Sequence, residues 1–396
     1  MMKRMERQFA GRTMSLEIGR MAKLAQGSCV VQFGDTVVLV AVTVQDRTTH
    51  LPFFPLTVEY QERSYAAGKI PGGFFKREGR PGEKGILSAR GIDRPVRPMF
   101  PKGFMNETQI AVFVLSTDQE NDADVLGVLG ASVALNMSKV PFNAPIAAVR
   151  LGRIQGTWVL NPTFQQLEYS DLDITVAGTA DAITMVEGGA LEVSEADILD
   201  GLLVAHEGIK ELCAMQDEFL EGHRQPDMEW TPVTPDADLK AKVEGMAAAK
   251  VAEALNLQDK TERQQALAAI KEDINASLVA EDEAYDDEAK AVGEILRGIE
   301  KQTMRRQILD KGERADGRGV DEVRPITCEV GVLPRTHGSS LFTRGQTQAL
   351  GVVTLGTSRD EQRIDSIDTR EEVTKSFMLP YNFPPFSVGE ARPFRG

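Results

Sequence analysis

The sequence predicts a protein of the α/β (α+β) class, in which mixed sheets and helices are followed by an all-helical region and by the start of a second sheet domain. Three observations predict it: runs of β-branched residues that flank glycine turns, a long proline-free stretch rich in Ala, Leu, Lys and Glu, and an internal repeat of glycines. Because hairpins outnumber strand–helix–strand crossovers, we expect sheets that are mostly antiparallel or mixed.

The first strands should form a hairpin. Residues 28–33 and 36–43 are rich in Val and are joined by Gly34-Asp35, which is a typical strand–turn–strand pattern. Residues 122–137 predict a helix, and Ser194 predicts the N-cap of another. Further strands are predicted at 110–115, 146–151, 157–160, 174–176 and 183–186, the last two as a pair.

An internal repeat relates the beginning and the end of the chain. Glycines, which allow backbone turns and close approaches, recur in register in the two copies. The matched pairs are Gly19 with Gly331, Gly27 with Gly338, Gly34 with Gly345, and Gly68 with Gly389. The repeat therefore predicts that the same hairpins are built twice.

The region between the two copies is acidic and helical. Residues 236–300 contain sixteen acidic and eight basic side chains and no proline. Their apolar residues recur at helical spacing, so we expect short amphipathic helices joined near Asn256 and near residues 275–277. The acidic runs 281–283 and 286–288 are interpreted as a solvated helical face or linker, with a divalent-ion site as the alternative.

Charge and cysteine content restrict the class of protein. The chain has 396 residues and a net charge of −14, but residues 63–102 alone carry ten basic and three acidic side chains. The acidic total therefore leaves room for a local nucleic-acid surface. No apolar run approaches the length of about 20 residues that a membrane span needs. Cys29, Cys213 and Cys328 are far apart and odd in number, which favours a reducing cytoplasm and excludes a disulfide framework.

The most informative segment of the basic region is residues 69–85, which contain five glycines and two prolines and predict a loop. It carries Phe74 and Phe75, followed by Lys76, Arg77 and Arg80. Aromatic faces that stack on bases, beside cations that neutralise phosphates, are typical of single-stranded nucleic-acid binding. The alternative is a surface loop whose phenylalanines pack into a core.

Three arginines follow this loop at helical spacing. Arg90, Arg94 and Arg97 would lie on one face of a helical turn, and arginine is well suited to binding phosphate oxygens. For Arg94, a structural ion pair with Asp93 or another carboxylate is an equally weighted alternative.

Other candidates carry less weight. Ser339-Ser340 could hold a phosphate, but a structural turn is favoured. Asp365 and Asp368 could hold Mg²⁺, but with Arg363 and Arg370 beside them we expect surface salt bridges. The sequence assigns no catalytic residue and no metal ligand.

Several longer motifs resemble one family, the bacterial polynucleotide phosphorylases, which contain RNase PH-like domains. They are FFKREGRP at 74–81, IDRPVRP at 92–98, LPRTHGSSLFTRGQTQ at 333–348 and YNFPPFSVGE at 381–390. The resemblance implies a first RNase PH-like domain at 8–230, an all-helical domain at 231–305, and a second, truncated RNase PH-like domain at 314–396. Lys76 departs from the arginine that is common in the family.

The resemblance also implies a function. Inorganic phosphate, with Mg²⁺, would attack the 3′ end of single-stranded RNA and release nucleoside diphosphates. The resemblance implies RNA contacts by Phe74, Phe75, Lys76, Arg77, Arg80, Arg90 and Arg94. Further expectations are a homotrimer, partners in RNA-degradation assemblies and no membrane association. The metal ligands and catalytic residues would follow Gly396, so a fragment ending there should be inactive. The alternative is a non-catalytic RNA-binding or scaffold protein.

Overall fold

The computed structural model describes residues 2–49, 51, 53–72, 74–232, 236–278, 285–369 and 373–393, with the side chains of 285–287 left aside. The chain forms two compact units. One joins the chain before residue 234 to the chain from Asp360 onward, and the other spans residues 234–359.

The first unit contains two sheets and four helices among its described residues before position 234. In chain order its elements are β1 (Lys3–Phe9), β2 (Arg12–Ile18), β3 (Gly27–Phe33), β4 (Thr36–Thr48), β5 (Leu56–Glu62), α1 (Glu83–Val96), β6 (Asn106–Ser116), α2 (Asp124–Met137), β7 (Ala147–Ile154), β8 (Thr157–Leu160), α3 (Phe164–Leu167), β9 (Leu172–Gly178), β10 (Ile183–Ala190) and α4 (Glu195–Leu220).

The larger sheet has six strands in the order β1-β2-β3-β4-β6-β5, and it is antiparallel except for the parallel pair β5–β6. The predicted first hairpin is confirmed, with Phe33 opposite Thr36. In β4 the side chains of Val38, Val40 and Val42 are fully buried, because alternate residues of a strand face the same side.

The smaller sheet has the strand order β10-β9-β7-β8 and is antiparallel. The predicted pairing of its β9 and β10 segments is confirmed, with Val176 opposite Val186. The predicted cap is also confirmed, since Ser194 Oγ accepts a hydrogen bond from the Asp197 N–H at the start of α4.

Helix α2 packs against strands of both sheets, namely β3, β4 and β7. It is apolar all round and is buried from Val125 to Asn136, as expected for a helix inside a core. The contact with β3 is close: a Cβ atom on Gly27 would lie 1.9 Å from the carbonyl oxygen of Ala134. Gly27 therefore sets the distance between helix and sheet.

The second unit contains three helices and three strands among its described residues. They are α5 (Ala237–Ala254), α6 (Lys260–Leu278), α7 (Tyr285–Lys311), β11 (Ile326–Val330), β12 (Gly338–Arg344) and β13 (Thr347–Val353). Two short strands, β14 (Gln362–Ile364) and β15 (Val373–Lys375), pair with each other in the first unit.

The helices pack around Val243, Val251, Ile274 and Val292. The predicted break between helices near Asn256 is confirmed, since α5 ends at Ala254 and α6 begins at Lys260. The prediction of a break near residues 275–277 is wrong, because α6 continues to Leu278 as an uninterrupted helix. The acidic run 281–283 and the side chains of 286 and 287 lie outside the described residues, so the interpretation of that acidic cluster stays a prediction.

The repeat is confirmed by strand register. In the first copy Gly27 lies opposite Val42, and in the second Gly338 lies opposite Val353. The turn glycines Gly34 and Gly345 both have φ of +59°, a left-handed conformation that glycine adopts at little cost. Ser339 Oγ accepts a hydrogen bond from the Leu333 N–H at 2.9 Å, which fits the structural turn that the sequence favours there.

The domain bounds 8–230, 231–305 and 314–396 stay a prediction, because compact units group residues by packing rather than by common origin. The first strand of the first unit begins at Lys3. Among the described residues, no helix has the length and apolar character needed to cross a membrane.

Candidate functional site

The aromatic loop, which the structure describes at residues 70–72 and 74–82, projects its two phenylalanines into solvent. Phe74 is 92% exposed and Phe75 is 82% exposed, and their rings meet edge to face with centroids 5.4 Å apart. The alternative in which these rings pack into a core therefore does not apply. Lys76, Arg77 and Arg80 are exposed beside them. Two accessible ring faces with three cations nearby form a surface suited to stacking bases and to binding phosphates.

The loop is shorter than the sequence predicts. Gly82 caps helix α1, so residues 83–85 form its first turn rather than the end of the loop. Glu78 accepts a hydrogen bond from the Ser64 N–H at 2.9 Å, which ties the loop to the turn that follows β5.

The three arginines after the loop have different environments. Arg90 and Arg94 are exposed on α1, and Arg94 forms an ion pair with Glu187 of β10 at 2.5 Å. The structural ion pair considered for Arg94 is therefore present, with Glu187 rather than Asp93 as the partner. Asp93 instead pairs with Arg97 at 2.7 Å, and Arg97 also donates hydrogen bonds to two backbone carbonyls. The guanidinium of Arg97 is thus bound to groups of the first unit itself.

A cavity of about 930 Å³ lies beside the aromatic loop. The cavity is lined by Tyr60 of β5, Lys84 of α1, Arg150 of β7 and Asp173 of β9. The C-terminal part of the first unit contributes residues 362, 364–369, 373 and 375. All these groups belong to one compact unit.

Lys84 occupies the centre of a cluster of carboxylates. Its ammonium nitrogen lies 3.3 Å from Glu62, 3.2 Å from Asp122 and 2.6 Å from Asp368. Burial alone would lower the pKa of Lys84, but Asp122, Asp368 and Glu62 outweigh it and raise the pKa above its ordinary value. Lys84 therefore remains an ammonium at any physiological pH.

Arg150 is the second cation of the cavity and also pairs with several carboxylates. It pairs with Asp122 at 2.6 Å, with Asp124 at 3.4 Å and with Asp173 at 3.1 Å. Burial opposes ionisation of Asp122, yet Lys84 and Arg150 lower its pKa. Burial, followed by the nearby charge of Asp122, raises the pKa of Asp124 to about 6. The two neighbouring carboxylates thus differ because Asp122 is closer to both cations.

Both cations of the cavity, Lys84 and Arg150, are paired. Five carboxylates surround them, so each cation already has anionic partners. Within the described ranges, no group of three or more Asp, Glu, His or Cys side chains is arranged to hold a metal ion.

Sequence reasoning missed this cluster because its members are far apart in the chain. Lys84 was one of ten basic residues in a window, and Asp122 was the expected start of a helix. For Asp368 the expectation of a surface salt bridge is only partly right: its carboxylate pairs with Lys84, 284 residues away in the chain, and lines the cavity.

The comparisons with known proteins agree with the repeat. The model of the 3′ exoribonuclease family, domain 1, matches residues 10–141 and again 322–396. Domain 2 of the same family matches residues 144–208. Residues 238–319 match the RNA binding domain of polyribonucleotide nucleotidyltransferase, which includes the three helices of the second unit.

Curated relatives are similar over the whole chain. The polyribonucleotide nucleotidyltransferase of Gemmatimonas aurantiaca is 57% identical over 100% of this chain and 54% of its own length. Those of Thermosipho melanesiensis and Bacillus licheniformis are 49% and 48% identical over 98% of the chain, and over 56% and 55% of their own lengths.

The chain spans about half the length of these relatives and is similar to their N-terminal part. The domain 1 model covers more than half of the chain, and its two matches contain the two copies of the repeated hairpin. The chain therefore belongs to the 3′ exoribonuclease family of RNase PH-like proteins.

Proposed function

We propose that the protein takes part in phosphorolytic 3′-to-5′ degradation of single-stranded RNA. In this reaction an oxygen of inorganic phosphate attacks the terminal phosphodiester phosphorus. The bond from this phosphorus to the 3′ oxygen of the preceding ribose breaks, and that oxygen takes up the proton lost by the attacking phosphate. The products are a nucleoside diphosphate and an RNA shortened by one nucleotide with a new 3′ hydroxyl. The observation that carries the proposal is the exposed pair Phe74 and Phe75 among Lys76, Arg77 and Arg80, in a chain whose relatives are named polyribonucleotide nucleotidyltransferases.

Within this proposal the described residues bind RNA and do not perform the chemistry. Phe74 and Phe75 stack on bases, and Lys76, Arg77, Arg80 and Arg90 neutralise phosphates, with Arg94 contributing less because of its pairing. The match of residues 238–319 to an RNA binding domain supports RNA as the ligand.

The first-unit cavity is proposed to be non-catalytic. Phosphoryl transfer needs cations that are free to hold phosphate oxygens as negative charge develops. Lys84 and Arg150 are already bound to carboxylates, which supports this assignment. Mg²⁺ is proposed as the cofactor and inorganic phosphate as the co-substrate. The described residues do not fit a Mg²⁺ site, because Lys84 and Arg150 lie among the carboxylates, so no step is assigned to the metal in this chain.

The test is an RNA degradation assay with inorganic phosphate. The full-length gene product should release nucleoside diphosphates from a single-stranded oligonucleotide. A protein limited to residues 1–396 should bind the oligonucleotide without releasing them. Release by residues 1–396 would contradict the non-catalytic assignment of the cavity. RNA binding without release by the full-length product would favour the scaffold function instead.

Assembly and location complete the proposal. We propose a homotrimer, partners in RNA-degradation assemblies and a cytoplasmic location. Light scattering coupled to size exclusion measures the oligomeric state directly, and a monomer at micromolar concentration would contradict the trimer.

A further inference from the structure

The aromatic loop is held at both ends by the same short segment of the chain. Lys69, just before the loop, donates hydrogen bonds from Nζ to the carbonyl oxygens of Ser366 at 2.7 Å and Thr369 at 2.5 Å. Lys84, just after the loop, forms its closest ion pair with Asp368 at 2.6 Å. Residues 365–369, which we call the anchor segment, thus bind both lysines that flank the loop.

The anchor segment is itself fixed on the core of the first unit. Ile367 is 6% exposed and belongs to the main apolar cluster, and its carbonyl oxygen accepts a hydrogen bond from Gln119 Nε2 at 3.1 Å. Ser366 Oγ accepts a hydrogen bond from the Asp368 N–H at 3.1 Å and donates one at 3.2 Å to Asp368 Oδ2, the oxygen that pairs with Lys84. Both lysines are therefore attached to a segment that is itself held on the core through Ile367.

The anchor segment also approaches the loop between the two lysines. A Cβ atom on Gly72 would lie 2.9 Å from a carboxylate oxygen of Asp365, so the backbone of the loop passes close to the anchor segment there. Together these contacts restrain the glycine-rich base of the loop, while Phe74 and Phe75 remain exposed beyond it.

Such restraint matters for binding. A loop rich in glycine has many conformations in the free protein, and ordering them on binding weakens affinity. Attachment of both ends to a rigid support reduces the number of conformations before RNA arrives. The stacking rings are then presented in a limited range of positions.

We propose that Lys69, Lys84 and Asp368 are positioning residues that hold the aromatic loop ready for RNA. The effect on RNA affinity rests on the proposed function of the loop, whereas the restraint of the loop does not. Two measurements therefore test the two claims separately. RNA affinity tests the effect on binding. The rate at which chymotrypsin cleaves after Phe74 and Phe75, with the cut sites identified by mass spectrometry, tests the restraint of the loop.

The deciding variant is Asp368→Asn, with Asp181→Asn as its matched control. Both replace an aspartate of the first unit by asparagine, and Asp181 is exposed in the turn between β9 and β10, outside the anchor segment. Electrostatics alone predicts that losing a negative charge near the loop strengthens RNA binding. We expect the opposite for Asp368→Asn, a weakening of about three- to tenfold because the loop must be ordered on binding. We also expect faster cleavage at Phe74 and Phe75, and neither effect in the control.

A second variant, Lys69→Met, removes the two hydrogen bonds to carbonyl groups and should also accelerate cleavage. The RNA affinity of Lys69→Met does not decide the proposal, because this variant also loses a cation near the loop. Thermal unfolding followed by tryptophan fluorescence confirms that each variant is folded at the assay temperature.

The outcomes are distinct. Unchanged cleavage in both Asp368→Asn and Lys69→Met would overturn the proposal. Faster cleavage with unchanged or stronger RNA binding in Asp368→Asn would support the restraint and overturn its role in RNA affinity. If replacement of the loop side chains themselves leaves RNA affinity unchanged, the proposed function of the loop fails, while the cleavage result still decides the restraint.

Discussion

The guanidinium of Arg94 lies 2.5 Å from the carboxylate of Glu187 and links helix α1 to the edge strand β10. Arg90, one helical turn earlier, is also exposed, and the described part of the chain provides no ion pair for it. Two arginines that look equivalent in the sequence are therefore unequal as phosphate ligands, because one has a carboxylate beside it.

We predict that Arg90→Gln weakens binding to a single-stranded oligonucleotide and lowers the salt slope by about 0.7, the value for one phosphate contact on a single strand. Glu187→Gln should have the opposite effect and strengthen binding, because it frees Arg94. Fluorescence anisotropy at several salt concentrations measures both. An unchanged slope in Arg90→Gln would remove this residue from the interface.

Phe74 and Phe75 should contribute to RNA affinity without contributing to stability. Each is exposed, so replacement by alanine should leave the unfolding temperature unchanged. Loss of one stacked base should weaken RNA binding by about 1–3 kcal/mol per ring. Tyr169→Ala, at another exposed aromatic residue of the first unit, is the control and should bind as the wild type. Equal effects of the control and the loop variants would argue against stacking.

The pKa of Asp124 predicts a pH dependence of stability. The folded-state pKa is raised to about 6, whereas an unfolded aspartate has a pKa of about 3.9. Between these values the folded state binds more protons than the unfolded state, so this group lowers stability as pH rises through the window. Asp124→Asn removes that loss while keeping an oxygen that can accept the hydrogen bond from the Val125 N–H.

The free energy of unfolding of Asp124→Asn, minus that of the wild type, should therefore increase by about 2–3 kcal/mol between pH 4 and pH 7. Urea unfolding followed by tryptophan fluorescence measures it selectively, because Trp158 and Trp230, the two tryptophans of the chain, both lie in the first unit. A difference that is flat or falls over this range would contradict the assignment.

Two glycines should respond in opposite directions to alanine. Gly27→Ala places a methyl group against the Ala134 carbonyl and should destabilise the first unit by about 3 kcal/mol or more. Gly91 lies within α1, and among the described residues no atom beyond its chain neighbours and the nearby helix backbone lies within 4 Å of its Cβ position. Gly91→Ala should stabilise the unit by about 0.5–1 kcal/mol. Urea unfolding measures the change in the free energy of unfolding for both variants. A Gly27→Ala variant as stable as the wild type would refute the close approach of β3 and α2.

Local features were the predictable part of this protein. The hairpin turns at Gly34 and Gly345 follow from neighbouring residues, since each glycine adopts a positive φ at little cost and lies between two segments that the repeat predicts as strands. The aromatic loop was likewise evident from its glycines and prolines. Errors arose at element boundaries, as where α6 continues to Leu278 and where α1 begins at Glu83, because tertiary packing can extend a helix past local signals.

By itself, the sequence determined the class of fold, the repeat and the chemical character of the exposed loop, because these depend on residue type and short-range spacing. Tertiary structure alone decided which charges are free. Lys84 meets Asp368 and Arg94 meets Glu187 only after the sheets and α1 have assembled, since these partners are 284 and 93 residues apart. Charge pairing of this kind depends on distance in space, and no local pattern records it.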